Sequence, residues 1–499
     1  MFAIPNNNRI VLFSTLVLIA ITATLALTMI SSLDREWTLV GFITLTFPFV
    51  IILLPKIRLV LQGLAIFFIT IPLDLHLFWH PNMGGAESIR VGVFEILFLV
   101  LLIEWVIRAS GSKSVAEIKF FPRISLPTLA LILVSAISML QAQDILAAAF
   151  DIFEMFKSLV FFLYIANHIT NIKQLYILMF FFFLGVFAQL GVFLLQYYTA
   201  VDIPIPGYTR EAYAGIVYKS NGIVAPRPGG TIGNVNSFSR YLLYFLPISV
   251  ALSLSSLKIR FKWFIHLLSL LGFAVLIMSL TRSAWMGFFF AFFAILFIFF
   301  FNKEFSLKSV INLSFVGVFF LLTLMGFSNV IKERLTNFES GSAETRITTS
   351  ITAWKMFKDY PIWGVGINNY ESHLEKYWLL RDPFTKKSAV HNNYLLYLVE
   401  LGSVGFIAYL WLLGAMFIRI RKAMQSRIRS LRVMAIGLMG SYIGFLFSSL
   451  ADFLKGNDIL ILLFWVIVAF AEGINYLNAR YAKEFYQALE TGRWWNAVR

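Results

Sequence analysis

Cysteine is absent from this 499-residue chain. Disulfide bonds, a thiol nucleophile and cysteine-ligated metal sites are therefore excluded. Acidic and histidine residues form no cluster at metal-ligand spacing either, and His373 is isolated in the sequence. We predict that the protein uses no metal and no cofactor, and that its loops are held by packing and hydrogen bonds.

Charged residues are also scarce. They make up 13% of the chain, whereas soluble domains carry about 25%. Hydrophobic residues make up 59%, and runs of about 20 apolar residues are typical of helices that cross a bilayer. A soluble globular protein is excluded, and the sequence predicts an all-α polytopic membrane protein.

Fourteen apolar runs follow one another along the chain. They lie near residues 10–30, 37–54, 57–79, 91–107, 124–141, 145–166, 174–199, 238–257, 261–280, 283–302, 308–327, 392–417, 431–452 and 457–478. We expect 12–14 transmembrane helices, because the paired runs around 141–145 and 281 could instead be hairpins of short helices. The first run is too long for a signal-peptide core, and no small-residue cleavage site follows it, so it is predicted to be an uncleaved span.

Basic residues outnumber acidic ones, 41 to 26, and the net charge is +15. In a soluble chain this excess would suggest nucleic acid. Here the strongly basic short connections all fall on the side shared by both termini, the most basic between Arg419 and Arg432. Basic connections mark the cytoplasmic side of a membrane protein. We therefore expect both termini in the cytoplasm and no nucleic-acid partner.

This topology divides the chain into four parts. Residues 1–327 form transmembrane helices with an outer segment at 200–237. Residues 328–391 form one large outer loop with amphipathic helices, 392–478 form the C-terminal transmembrane helices, and 479–499 form a cytoplasmic tail. The long outer loop is where the chain can assemble a site in water.

Two arginines on the outer side are candidate anion-binding residues. Arg282 lies at a turn between two spans, where a cation is disfavoured unless it has a partner. Arg346 lies in the loop, where Ile347, Ile351 and Trp354 recur at helical spacing. We therefore expect Arg346 on an amphipathic helix that packs onto the membrane face of the protein. The alternatives are an Arg282 that snorkels to lipid headgroups and a solvated Arg346.

His391 begins the twelfth span at the water boundary and is followed by Asn392. A neutral imidazole at this boundary can accept a proton from a hydroxyl group. The alternative is a boundary histidine that only forms hydrogen bonds. Glu400 is nine residues further along, about 900° around a helix and so on the opposite face. We do not expect Glu400 to orient His391.

A glycine-rich stretch at 225–236 precedes the eighth span. It lacks the Gly-Lys-Ser/Thr ending of a nucleotide-binding P-loop. Arg227, Asn236 and Arg240 are candidates for lining an anion or sugar site, although the stretch could equally be a re-entrant turn. Within the sixth span, Glu154 and Lys157 are spaced to form a structural i,i+3 pair.

The order of short motifs resembles the O-antigen ligase and O-antigen polymerase superfamily of bacterial membrane glycosyltransferases. The motifs are Arg-Pro-Gly-Gly-Thr-x-Gly-Asn at 227–234, Thr-Arg-Ser-Ala-Trp at 281–285, Arg346 in the loop, Asp-Tyr-Pro-Ile-Trp-Gly-Val-Gly at 359–366, and His-Asn-Asn-Tyr-Leu at 391–395. The resemblance covers residues 225–415 and is only topological before them. Fourteen apolar runs exceed the dozen usual in that family.

The resemblance implies a GT-C type glycosyltransferase fold in the bacterial inner membrane, with a metal-independent, inverting active site on the periplasmic face. It implies a donor glycan on undecaprenyl diphosphate, a glycolipid or glycan acceptor, and membrane lipids as surroundings. Arg282 and Arg346 would bind the diphosphate, and His391 would act as the catalytic base. Arg227, Asn236, Arg240 and Asn392 would be possible substrate-lining residues.

Four functions stay open on the sequence. The first is an O-antigen ligase with lipid A-core as acceptor, favoured slightly by the single large outer loop next to His391. A polymerase of repeat units and a protein-glycan ligase would use the same residues. A transporter or flippase for lipid-linked glycans is the alternative of another class, but its ionisable groups would lie near the membrane midplane.

Overall fold

The computed structural model describes residues 48, 51, 55–72, 74–80, 82, 85–111, 118–199, 217–220, 223–336, 340–378, 389–453 and 455–490. The predicted first run at 10–30, nearly all of the second and half of the outer segment 200–237 lie outside these residues. All predicted apolar runs from residue 57 onward form helices.

The described helices are α1 Pro55–Thr70, α2 Val93–Gly111, α3 Pro122–Ser138, α4 Ile145–His168, α5 Ile172–Thr199, α6 Val235–Leu254, α7 Lys262–Met278, α8 Arg282–Phe301, α9 Leu307–Gly326, α10 Ser328–Thr336, α11 Ser340–Asp359, α12 Leu374–Tyr377, α13 Asn393–Ala423, α14 Arg429–Ser448 and α15 Asp458–Glu490. Two antiparallel hairpins join them: β1 Asp74–Leu77 with β2 Ile89–Gly92, and β3 Val217–Ser220 with β4 Ile223–Pro226.

Eight of the described helices are long and apolar enough to cross a membrane: α3, α5, α6, α8, α9, α13, α14 and α15. Helices α1 and α7 are apolar but shorter. Helices α2 and α4 also match predicted runs, but they carry buried charged side chains. The predicted class, a helical polytopic membrane protein, is confirmed.

The predicted run 57–79 is too long. Helix α1 ends at Thr70, and the chain then enters strand β1 at Asp74. Pro72 explains the end, because a proline cannot donate the hydrogen bond that would continue a helix. The alternation of Asp74, Leu75, His76 and Leu77 has the two-residue period of a strand.

Helix α6 lies at the centre of the bundle, and every described residue of α6 except Asn236 is buried. It packs against α14, which also packs along α8. The α8–α14 contact is made by glycines: a Cβ added to Gly287 would lie 2.7 Å from the carbonyl oxygen of Gly444. Small residues at helix crossings let backbones approach closely in membrane proteins.

The large loop has its own small core. Side chains from α11, α12, the first turns of α13 and the segments between these helices form it: Ala353, Met356, Val365, Tyr370, Leu374, Tyr377, Ala389, Val390, Leu396 and Val399. We call this set the loop core. It joins the loop firmly to the start of α13, immediately after His391.

Helix α13 is broken at Gly402, whose φ is 63°. The break frees two carbonyl oxygens, which accept hydrogen bonds from the loop: Val365 N donates to Val399 O and Gly366 N donates to Glu400 O, both at 3.0 Å. In return, Ser403 N donates to Pro361 O at 2.8 Å. The Asp-Tyr-Pro-Ile-Trp-Gly-Val-Gly motif therefore replaces the helical hydrogen bonds at the kink.

Candidate active site

The glycine-rich stretch ends in a cap that fixes the start of α6. Asn234 is the N-cap, and its side chain accepts hydrogen bonds from the backbone N–H groups of Asn236 at 2.8 Å and Ser237 at 3.3 Å. Asparagine is a preferred N-cap because its oxygen satisfies N–H groups that have no helical partner. The cap places Asn236 and Arg240 one turn apart on α6.

The turn between α7 and α8 lies against this helix start. Arg227 donates hydrogen bonds to the carbonyl oxygen of Ser279 at 2.9 Å, to the hydroxyl of Thr281 at 3.3 Å and to the side chain of Asn236 at 3.4 Å. The Thr281 hydroxyl in turn donates to Asn236 Oδ1 at 3.3 Å. Arg227 and Asn236 therefore fix the turn that leads directly into Arg282.

A second arginine also forms a hydrogen bond with the backbone of this turn. Arg334 of α10 is buried and donates from Nε to the carbonyl oxygen of Leu280 at 3.2 Å. Leu280 has a positive φ of 55°, which a branched side chain adopts only when its surroundings impose it. Arg282, the first residue of α8, is half-buried just beyond this turn.

His391 pairs with an aspartate that the sequence did not single out. Its Nδ1 lies 3.4 Å from Oδ1 of Asp452, in the connection between α14 and α15, and its ring lies 5.7 Å from that of Phe453. The His391 side chain is 29% exposed, whereas that of Asp452 is 7% exposed. The imidazole can therefore be reached from outside while its carboxylate partner is enclosed.

Arg240 completes this group. It is buried, and its Nε lies 3.6 Å from Oδ2 of Asp452; it also donates to the carbonyl oxygen of Phe453 and to the carbonyl oxygen of Asn236. Burial alone would raise the pKa of Asp452, but the Arg240 cation and the hydrogen bond with His391 outweigh burial. The pKa of Asp452 therefore lies below its ordinary value of 3.8, and Asp452 is a carboxylate at neutral pH.

Asn392 caps helix α13, and its predicted role as a substrate-lining residue stays a prediction. Its side chain accepts a hydrogen bond from the backbone N–H of Leu395 at 3.0 Å and begins α13. The next residue, Asn393, donates its backbone N–H to Ser449 O at 2.9 Å. These two bonds fix the backbone next to His391 against the end of α14.

Arg346 lies on α11. Its carbonyl oxygen accepts hydrogen bonds from Thr349 and Ser350. Among the described residues, no salt bridge joins its guanidinium to an acid, and no hydrogen bond or salt bridge joins it to Arg282 or His391. The convergence of these three residues stays a prediction. Helix α11, which carries Arg346, is connected to His391 through the loop core. The buried face of α11 packs in that core, which also contains Val390, the residue before His391.

A buried ionic group lies close to the candidate site. Lys455 is 2.7 Å from Oδ2 of Asp151 and hydrogen-bonds to Glu400, which therefore has a partner other than His391. Glu154 and Lys157 form the predicted pair at 2.7 Å. A cavity of about 90 Å³ beside these groups is far below the roughly 300 Å³ of a small-molecule pocket.

Two residues of the site were missed from the sequence. Asp452 is 61 residues from His391, at the last position of the predicted run 431–452. The sequence does contain one signal for this partner: an acidic residue at the end of an apolar run, on the same side of the membrane as the candidate base His391. Arg334 lies in the polar opening of the loop, and nothing in its local sequence predicts that it contacts Leu280.

Comparison with known proteins gives one family match. Residues 267–410 match a family model described as O-antigen ligase. The matched region contains Arg282, Arg346 and His391, whereas Arg240 and Asp452 lie outside it. No curated protein shows significant similarity to the chain. Over residues 267–410 the chain is thus similar to the O-antigen ligase family, and this match supports the resemblance to the O-antigen ligase and polymerase superfamily.

Proposed function

We propose that this protein is an inverting, metal-independent glycosyltransferase with a GT-C type fold. It moves a glycan from undecaprenyl diphosphate to an acceptor hydroxyl at the periplasmic face of the bacterial inner membrane. The favoured activity is that of an O-antigen ligase with lipid A-core as acceptor. The observation that carries the proposal is a partly exposed histidine, His391, next to a buried carboxylate, Asp452, which also pairs with Arg240. Arg240 lies at the start of α6, and the same helix start contacts the turn before Arg282.

His391 is the base of the proposed reaction. Its Nδ1 faces Asp452, so Nε2 is the nitrogen available to an acceptor hydroxyl. The acceptor oxygen bonds to the anomeric carbon of the donor sugar while its proton passes to Nε2. The carboxylate of Asp452 keeps the imidazole in the orientation that the reaction needs and stabilises the imidazolium that forms.

The leaving group is the diphosphate of the lipid carrier. The bond between the anomeric carbon and the diphosphate oxygen breaks, and its electron pair stays on that oxygen. Attack from the opposite face inverts the configuration at the anomeric carbon. Arg282 and Arg346 offset the growing negative charge, for which the planar guanidinium is well suited.

The transporter alternative is less well supported. Its best evidence would be buried charged groups, and the structure contains five in this region: Asp151, Glu154, Lys157, Glu400 and Lys455. These groups are paired with one another. Paired buried charges are expected to hold helices together, whereas a substrate path needs groups that can exchange partners.

The test is transfer by purified protein in detergent with EDTA present. Undecaprenyl-diphosphate glycan is the donor, and lipid A-core or a second lipid-linked glycan is the acceptor. Transfer to lipid A-core supports a ligase, and chain extension supports a polymerase. A protein that transfers to neither but moves donor across liposomes is a transporter, and the proposal then fails.

A further inference from the structure

Helix α11 has two faces of opposite character. One face is buried in the loop core and bears Thr349, Thr352, Ala353 and Met356. The predicted apolar stripe is on the other face: Ile347, Ile351 and Trp354 are 62%, 45% and 48% exposed. At about 100° per residue, the two faces are centred about 180° apart. The stripe therefore does not pack onto the protein, contrary to the expectation from the sequence.

A second exposed apolar pair follows the helix. Ile362 and Trp363 are exposed, and the carbonyl oxygen of Ile362 accepts a hydrogen bond from Val404 N at 3.3 Å. Val404 lies on α13, less than one turn before the exposed Ile407 of the same span. The exposed apolar surface of the loop thus reaches the surface of α13 that faces the bilayer.

Cations accompany the exposed stripe. Lys355 is exposed at the edge of the stripe, and Lys358 is exposed one turn beyond Trp354 on the same face of α11. A helix with apolar residues on one side and lysines beside them is typical of helices that lie in the headgroup layer of a membrane, with anionic lipids as partners. Tryptophan at the edge of a span is likewise typical of the membrane–water interface.

From these observations we infer that α11 is an interfacial helix that lies on an anionic lipid surface, with Ile347, Ile351 and Trp354 inserted at the boundary between headgroups and acyl chains. The inference rests on the proposed function only for its catalytic consequence. Arg346 lies about 100° from Ile347 around the helix, at the flank between the inserted stripe and the protein. That flank is at the depth of lipid phosphates, where the diphosphate of a lipid-linked donor also lies.

The depth of α11 can be measured without any assay of activity. The chain has no cysteine, so a single nitroxide label can be attached through Ile351→Cys without other changes. The matched control is Glu375→Cys, an exposed position on the same loop. Both labelled proteins are reconstituted into vesicles of zwitterionic and anionic phospholipid, and the collision rates of each label with oxygen and with a water-soluble nickel chelate are compared.

The expected result is opposite preferences at the two positions. The label at 351 should collide more with oxygen, which concentrates in the bilayer, and the label at 375 should collide more with the nickel chelate. Equal or greater nickel access at 351 would overturn the inference. This readout also separates the two proposals, because it stays valid if the protein transfers no glycan.

A kinetic test addresses the consequence for the donor. The variant Ile347→Ser/Ile351→Ser/Trp354→Ser should raise the KM for an undecaprenyl-linked donor in vesicles about tenfold, with kcat changed less than twofold. For a short-chain, water-soluble donor analogue its KM should stay within twofold of wild type. The variant Ile351→Leu, which keeps the apolar surface, should behave as wild type with both donors. An unchanged KM for the membrane donor would contradict the assigned role of the stripe.

Discussion

Two histidine–aspartate pairs occur in the described part of this protein, and they differ in what surrounds the aspartate. His391 pairs with Asp452, and His80 pairs with Asp144 at the start of α4. The Asp452 side chain is 7% exposed, whereas the Asp144 side chain is 31% exposed. The same two residue types are therefore placed in a closed setting in one case and in an open one in the other.

The two carboxylates are also committed to different partners. For both, burial raises the pKa but is outweighed by favourable contacts. For Asp144 the main favourable contact is the backbone N–H of Ala147, because Asp144 is the N-cap of α4. For Asp452 it is the cation of Arg240. Asp144 thus mainly caps helix α4, whereas Asp452 pairs with Arg240 and contacts His391.

The proposed difference between the two pairs is tested most strongly by removing each histidine in turn. His391→Ala should lower the rate of glycan transfer about 10³-fold, because general base catalysis contributes roughly 10²–10⁴-fold. The measurement is transfer by purified protein at saturating donor. His80→Ala is the matched control, since it removes the same side chain from the other pair. Equal losses in both variants would contradict the distinction between the two pairs.

Removing Arg240 should have the next largest effect. Arg240→Met leaves the Asp452 carboxylate buried without its cation, and breaking a buried pair in this way costs about 3–5 kcal/mol. We expect a clearly lower unfolding temperature in detergent and weaker transfer. Arg240→Lys keeps the charge and should recover part of both. Full stability of Arg240→Met would show that the pair with Asp452 is not important.

Asp452→Asn should lower transfer about tenfold, or about 1.4 kcal/mol in the barrier. The substitution keeps the shape of the side chain but removes the charge that stabilises a protonated His391. The change should appear in kcat rather than in KM, because Asp452 is enclosed and touches no substrate in the proposed reaction. A raised KM at constant kcat would instead indicate that Asp452 contacts the acceptor.

The acid sensitivity of the fold gives a smaller effect. The pKa of Asp452 in the folded protein lies below its ordinary value of 3.8, so its charge stabilises the fold above that value. This contribution is lost as the pH falls through the lower, folded-state pKa. The difference in unfolding temperature between wild type and Asp452→Asn should therefore be largest near pH 7 and shrink below pH 4. A difference that does not depend on pH would mean that packing, and not charge, causes it.

The smallest effect is expected at the open pair. Half-exposed ion pairs contribute about 0–1 kcal/mol, so His80→Ala should change the unfolding temperature by no more than a few degrees. Its transfer rate should stay within about twofold of wild type. A more than tenfold loss of transfer in the same assay would indicate that His80 and Asp144 belong to the active site.

The sequence predicted the helices well because a span needs a long apolar run wherever it lies in the bundle. The prediction from sequence failed where a residue pattern was recognised but the surroundings of its side chains could not be inferred. The stripe of Ile347, Ile351 and Trp354 indicates a helix with an apolar face, yet the pattern cannot tell a protein core from a lipid surface. Proline at position 72 ended the run 57–79 earlier than hydropathy suggested.

The site was predictable only in part for a related reason. Motifs show residues that are close in sequence, so Arg227, Arg282 and His391 could each be found from its neighbours. Asp452 comes to His391 from 61 residues away, and Arg240 comes from another helix. No local pattern encodes such a pair, because the packing of α6, α13 and α14 creates it. The roles proposed for these residues stay predictions until they are measured.

The glycine contact between α8 and α14 has a consequence for how freely this site can change. Gly287 lies five residues after Arg282, about 7.5 Å along α8, and Gly444 lies eight residues before Asp452. The two helices touch through their backbones at this level, so no side-chain rotation can absorb an added methyl group. Alanine at position 287 would push apart the helix that begins with Arg282 and the helix that leads to Asp452. In the proposed reaction, the spacing between leaving-group binding at Arg282 and proton transfer at His391 would thus depend on Gly287, a residue within α8 that is assigned no contact with the substrate.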